Sequence, residues 1–347
     1  MSLTRSLFIG LLWYIFALFL FSCGGEVIGD VDPGGSSFKP VVPEGFPKLE
    51  YPEDNRFTNA RWQLGRKLFY DPVMSRDSTV SCSSCHKQSL AFADNLPTTP
   101  GVDNLPGVRN SPSLGNIGYH PYYTREGGVP SLEMQVLVPI QEHNEFGFNI
   151  LLIQERLMNN DDYIELSKKA YDRNPDYFVI TRALATFERS LISGNSAFDQ
   201  YKFQGNPRAI SKDEIAGMEL FYSARTNCAT CHEGFNFTNY SFQNNGLYLQ
   251  YADTGRQRLT GEASDRALFK VPSLRNVGLT GPYMHDGTFA TLDEVIKHYN
   301  TGGKAHPNKS PLLKPLHLTG EEQQQLVAFL ESLTDYDFIS NPNFQKP

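Results

Sequence analysis

Cys82-Ser83-Ser84-Cys85-His86 and Cys228-Ala229-Thr230-Cys231-His232 are two C-x-x-C-H runs, 146 positions apart, and hold four of the chain's five cysteines. In each run two thiols can add to the two vinyl groups of one haem, while the adjacent histidine reaches the iron. A zinc site would need further Cys or His ligands at short spacing, and neither run has them. A redox dithiol is the remaining alternative. With two complete copies, the spacing predicts two covalent haems c, held by Cys82, Cys85, Cys228 and Cys231 and ligated by His86 and His232.

The elements around the two runs repeat. Gly65-x-x-Leu68-Phe69-Tyr70 precedes the first, and Gly217-x-x-Leu220-Phe221-Tyr222 precedes the second. Pro112-Ser113-Leu114-Gly115-Asn116 recurs 160 positions later as Pro272-Ser273-Leu274-Arg275-Asn276, and at the same offset Tyr123 meets Tyr283, Glu126 meets Asp286 and Gly127 meets Gly287. Two copies are too few for a solenoid, and duplication of a haem domain accounts for them better. Helical spacing of apolar residues covers 59–69, 131–138, 149–170, 176–193, 212–222, 292–299 and 320–333. Thr319-Gly-Glu-Glu322 has the form of a capping box, and Thr291 can cap the helix that follows it. Between these helices lie long Gly, Pro and Asn-rich loops, which are uncommon unless a large buried group organises them. The expected fold is mainly α: two cytochrome c-type haem domains related by internal duplication, with long haem-organised loops, at 53–200 and 201–347.

The fifth cysteine bears on the start of the chain. Arg5, an apolar run from Leu7 to Phe21, and Ser22-Cys23-Gly24-Gly25 read as a secretory signal over 1–22. Leu20-Phe21-Ser22-Cys23 is similar to a bacterial lipobox, which would make Cys23 the lipidated N-terminus of a protein in the periplasm or cell envelope. Residues 23–52, rich in Gly, Pro and Ser, read as a flexible tether. Without residues 1–22 the chain has 30 Lys and Arg against 38 Asp and Glu. That acidic balance argues against nucleic acid as a partner and suits a basic patch on a small electron-donor protein. The remaining length, about 320 residues, suits two domains.

Several blocks resemble the bacterial di-haem cytochrome c peroxidase superfamily, which includes the MauG branch. They are Leu64-Gly65-Arg66-Lys67-Leu68-Phe69, Ala91-Phe92-Ala93-Asp94 after the first haem run, Arg109-Asn110-Ser111-Pro112-Ser113-Leu114, Phe269-Lys-Val-Pro-Ser-Leu-Arg-Asn276 and Pro282-Tyr-Met-His-Asp-Gly287. The resemblance covers roughly 58–335 and implies a peroxide-binding haem in the first domain and an electron-transfer haem in the second. Leu132-Glu133-Met134-Gln135, with Glu145 ten residues after Gln135, matches the family pattern whose Gln and Glu stand over the open iron face. A carboxylate there can take a proton from H2O2 and return it to the leaving oxygen. Taken without the family, Glu145 reads as a solvated loop acid. The resemblance also implies a calcium ion between the domains, at the side chain of Asn110 and the carbonyls of Thr280 and Pro282; a hydrogen-bonded loop without metal is the alternative.

Three positions depart from the peroxidase pattern. Val102 stands where many members have a distal histidine, so the first haem should be open without reductive activation. Tyr299 stands where the peroxidases have a methionine ligand to the second haem, as in MauG-type proteins, and a tyrosinate would lower the potential. His298 and Met284 compete for that place by chemistry, and Tyr299 can also be read as a core aromatic. Arg125 stands where an inter-haem tryptophan is usual, which leaves Tyr122 or Tyr123 as relays, or tunnelling with no aromatic stop. The leading expectation is a peroxidase, H2O2 + 2e⁻ + 2H⁺ → 2H2O, fed by a small cytochrome c or cupredoxin; a homodimer is compatible with it. The alternatives are a MauG-like oxidase that modifies a protein partner, and a two-haem electron carrier.

Overall fold

The computed structural model describes residues 37–347. The first half runs through α1 (Asn59–Tyr70), α2 (Cys82–Cys85), α3 (Leu132–Gln135), α4 (Leu137–Gln141), α5 (Ile150–Met158), α6 (Asp161–Tyr171) and α7 (Tyr177–Arg189). The second runs through α8 (Ala197–Lys202), α9 (Lys212–Phe221), α10 (Cys228–Cys231), α11 (Gln257–Thr260), α12 (Leu292–Thr301), α13 (Gly320–Glu331) and α14 (Tyr336–Ser340). Among the described residues the sheet is confined to β1 (Phe242–Gln243) and β2 (Phe269–Lys270), paired antiparallel. The fold is mainly α, with two cytochrome c-type domains.

Each domain is built on one close helix crossing. A Cβ on Gly65 would lie 1.9 Å from the Ala183 carbonyl oxygen, so α1 rests directly on the backbone of α7. Gly217 does the same in the second half, 1.8 Å from the Gln325 carbonyl, which brings α9 onto α13. Around each crossing the aromatic rings repeat. Phe69 meets Phe187 at 5.0 Å and 54°, and Phe221 meets Phe329 at 5.1 Å and 57°. Phe92 stands 5.9 Å from Phe69, and Phe237 stands 6.1 Å from Phe221. Phe69, Phe92, Phe187, Phe237 and Phe329 are fully buried. Each such side chain contributes on the order of 1.5–3 kcal/mol of burial, so these clusters hold the helix pairs together.

Each expected helix is present, but two are divided. The run expected over 149–170 breaks at Asn159 and Asn160, because the Asn160 side chain accepts from the Asp162 and Tyr163 amides and starts α6 anew. The run expected over 131–138 breaks at Val136, between α3 and α4. Phe198 of α8 packs in the second core, against Phe237 and Phe329. One segment crosses between the halves. Phe338 and Phe344, beyond α13, pack in the first core on Phe92.

The described part of the expected tether is not free. Phe38 stacks on Trp62 at 4.5 Å, Phe46 packs on Tyr119 and Phe235, and Leu49 is buried. Apolar residues spaced among the prolines give this extended segment anchors that its Gly/Pro content masks. Cys23 and the expected signal lie outside the described residues. Among the described residues no helix is long and apolar enough to cross a membrane.

Candidate haem sites and the junction between them

One turn of helix carries each cysteine pair. In α2 the Ser81 amide donates to Ser84 Oγ at 3.1 Å, closing the turn that puts Cys82 and Cys85 on one side. None of these four cysteines is in a disulfide. Burial pushes the Cys82 thiol up, and the Cys85 thiol to about 12, which opposes the thiolate that a reactive dithiol would use. Among the described residues no group of three or more His, Cys, Asp or Glu is gathered as a metal ion would need.

Both histidines are aimed alike. His86 Nδ1 lies 2.8 Å from the Phe92 carbonyl, and His232 Nδ1 lies 3.0 Å from the Phe237 carbonyl. The Pro112 and Pro272 carbonyls face the same two rings. With Nδ1–H donating to carbonyls, each ring is the tautomer whose Nε2 lone pair is free for a metal. Phe92 and Phe237 hold left-handed backbone, with φ of 59° and 50°, which turns their carbonyls under the rings. These residues fit two haems c.

Near the first pair the structure brings a carboxyl group. The turn after α4 is closed by the Glu145 and Gly147 amides, which both donate to the Glu142 carbonyl at 3.0 Å. Glu145 is half-buried, and its charge acts on both Cys85 and Cys82. Burial, helped by Glu142, pushes its carboxyl up to about 7. The fully buried Val102 donates its amide to the Glu145 carbonyl at 2.9 Å. Its loop is pressed so closely on this turn that a Cβ on Gly101 would lie 2.1 Å from the Asn144 carbonyl. Gln135 Oε1 is buried with no partner among the described residues.

A different group stands near the second pair. Tyr299, in the last turn of α12, has its phenol hydrogen-bonded by the Asn245 side chain and within the field of Cys228 and Cys231. Burial pushes it up to about 12, and the Asn245 amide works in the other direction, favouring the phenolate. Asn245 Nδ2 also donates to Met284 Sδ at 3.0 Å. The two competing ligands thus have other partners, since His298 Nε2 lies 2.9 Å from the Asn245 carbonyl.

Between the two sites runs a charged junction. Arg109 grips Asp253 through Nε at 2.7 Å and Nη2 at 3.0 Å, and also pairs with Glu126, which Arg258 binds from its other side. Arg125 donates through one nitrogen to both oxygens of Asn110, the carbonyl at 2.7 Å and Oδ1 at 3.2 Å. Asn110 Nδ2 donates to the Leu96 carbonyl, and its amide to the His285 carbonyl. Thr280 closes a turn on the Val277 carbonyl, two residues before Pro282. A calcium ion taking Oδ1 at ~2.4 Å would come within about 5.6 Å of that guanidinium nitrogen. At an effective dielectric of about 20 the repulsion is on the order of 6 kcal/mol. Beside this cluster His120 lies 6.4 Å from Tyr123 and 5.0 Å from Tyr240, and Tyr122 hydrogen-bonds the Tyr240 carbonyl.

Comparison with known proteins agrees with this geometry. Residues 59–208 match the family model described as di-haem cytochrome c peroxidase, and residues 215–334 match cytochrome c. The methylamine utilization protein MauG of Methylorubrum extorquens is 36% identical over 84% of this chain and 82% of its own length. The chain belongs to the di-haem cytochrome c peroxidase family. The cytochrome c551 peroxidase of Nitrosomonas europaea is 32% identical over 82% of both chains, so peroxidase and MauG relatives stand at similar distance. A solved MauG-like protein associated with microbial copper homeostasis superposes with a TM-score of 0.85 at 32% identity, covering 90% of this chain and 99% of its own. This di-haem cytochrome therefore carries two c-type haems and is an oxidoreductase of a peroxidase/oxidase family.

Two residues at the sites escape a reading of the sequence. Glu188 is buried in α7, its carboxyl pushed up to about 8 by burial, and its charge acts on Cys82. A lone acid on the apolar face of a helix was its available signal. Asn245 gave none, because it lies in a loop with no motif and matters only through what folds against it.

Proposed function

We propose that the protein reduces hydrogen peroxide to water at the first haem site, with electrons that arrive from a small cytochrome c or cupredoxin through the second. The observation that carries this reading is Glu145, a half-buried carboxyl held near pH 7 beside Cys82 and Cys85. When bound, the first haem supplies the iron that binds and reduces peroxide, and the second supplies electrons.

The rest falls to side chains. Glu145, ionised, takes the proton from the inner oxygen of peroxide and delivers it to the outer oxygen, which then leaves as water. A carboxylate near 7 is basic enough to accept that proton and acidic enough to return it. Gln135, with its buried carbonyl oxygen, orients the peroxide. Val102 offers no donor atom, so it would leave the iron of the first haem free to take peroxide. Its tight packing on the Glu145 turn also holds the acid in position. Tyr299 would hold the iron of the second haem, with the Asn245 amide favouring the phenolate against the burial that raises the phenol to about 12.

Tyr299 also favours a second reading, a MauG-like oxidase acting on a protein partner. An anionic oxygen ligand eases removal of an electron from the second site. Export through the 1–22 signal and a lipid on Cys23 fit either reading, since haem attachment of this type occurs outside the cytoplasm. Steady-state reduction of H2O2 by a reduced small cytochrome c tests the first. Glu145→Gln is expected to keep both haem spectra and to lose roughly 10²–10⁴-fold in turnover. Unchanged turnover in that variant would remove Glu145 from the mechanism.

A further inference from the structure

We infer that the guanidinium of Arg125 is itself the cation of the inter-haem junction, and that this chain binds no calcium there. The family resemblance assigns Asn110, Thr280 and Pro282 to a calcium site, with the Asn110 side-chain oxygen as the one side-chain ligand. In this structure that oxygen accepts a hydrogen bond from Arg125 at 3.2 Å, and the Asn110 carbonyl accepts a second at 2.7 Å. A guanidinium donates and cannot be a ligand, so its presence on both oxygens marks them as acceptors for an organic cation. Asn110 is buried, and its own amide group is spent on the Leu96 carbonyl, so the side chain cannot turn to offer a different face.

The charges around the junction agree. Glu126 is shared by Arg109 and Arg258, Asp253 is held by Arg109, and Asp286 accepts from the Tyr248 hydroxyl. Lys270 adds another cation, with its ammonium on the Tyr122 carbonyl at 2.8 Å and its amide on the Arg125 carbonyl. The carboxylates near Arg125 therefore already have donors, and a divalent ion would meet positive groups where it needs negative ones. Arg125 also occupies the place where the family usually has a tryptophan, so one substitution removes an aromatic and installs a permanent charge. Its Nε is buried without a partner among the described residues, which leaves one donor for a carboxylate of a bound haem.

The test uses the two-haem holoprotein. It is dialysed against calcium chloride, desalted, and its calcium measured against haem iron by mass spectrometry. The inference predicts substoichiometric calcium, with the same thermal midpoint and the same haem spectra in EGTA as in millimolar calcium. One calcium retained per chain, or a midpoint that falls in EGTA, overturns it. Arg125→Gln keeps a donor for Asn110 and removes the charge, whereas Arg125→Lys keeps the charge. The Gln variant should show a midpoint that rises with added calcium, and the Lys variant should stay indifferent. A Gln variant as indifferent as the wild type would mean that the guanidinium does not stand in calcium's place. Should neither variant fold, the calcium content of the wild type decides alone.

Discussion

The two haem pockets share a floor and differ in their roof. Beneath each, a cysteine pair on one helical turn is followed by a histidine whose Nδ1 faces a phenylalanine carbonyl, at 2.8 Å in the first and 3.0 Å in the second. Beside the first cysteine pair, a turn after α4 brings the carboxyl of Glu145; beside the second, the last turn of α12 brings the phenol of Tyr299. The floor is held by close helix crossings and left-handed backbone, where most substitutions are costly. The roof is supplied by segments that differ between the halves, a turn packed on the Val102 loop in the first and a helix end in the second, and there a duplicated domain can acquire two chemistries.

The comparison breaks most completely at the floor. Replacing Cys82 and Cys85 by Ala should remove one covalent haem and leave the other, so acid-acetone extraction of the variant should retain half the wild-type haem. Extraction of all haem from the wild type would contradict the assignment of both pockets.

At the first roof the expected effect is kinetic and depends on pH. Burial raises the Glu145 carboxyl to about 7, so below that pH it is protonated and cannot accept the peroxide proton. Peroxide turnover should therefore rise as pH increases through about 7, and Glu145→Gln should lose that limb along with most of its rate. A limb that persists in the variant assigns it to another group, of which the buried Glu188 is the nearest by character.

Gly65→Ala and Gly217→Ala test whether the helix crossings are equivalent. Each added methyl would meet a carbonyl oxygen at under 2 Å, so each should destabilise its domain by about 1–3 kcal/mol or more. Denaturation followed at both haems should show similar losses; a tolerated substitution at one position would mean that its helix pair can spread. The smallest change is expected at the second roof, where Tyr299→Met should raise the potential of the second haem and leave the spectrum of the first nearly intact. Redox titration reads it, and an unchanged potential would return Tyr299 to the core.

How far these pockets were legible follows from where their information lies. The floors could be read directly, because C-x-x-C-H spacing, the 160-residue offset and the Gly65 and Gly217 repeats are local patterns that the duplication states twice. Helix positions followed from apolar spacing, except at Val136, where the run is interrupted, and at Asn160, whose side chain caps a new helix in a way that periodicity does not sense. Glu145 and Tyr299 were visible only by likeness to a family, since an isolated Glu or Tyr in a loop or helix end has many commoner uses. Asn245 and the grip of Arg125 on Asn110 were not legible, because they depend on which distant segments meet, while Glu188 showed only as a lone acid on an apolar helix face. The docking of Phe38 and Phe46 was hidden by the Gly and Pro around them.

A first pocket that is open as it stands, with Glu145 beside it to handle the proton, needs no ligand displaced before peroxide binds. Stopped-flow mixing of the fully ferric protein with hydrogen peroxide tests this. Spectral change at once is expected, with no prior one-electron reduction, and a strongly slowed change in Glu145→Gln. A ferric protein that stays inert until half-reduced would show that another residue closes the first haem, and would contradict the account.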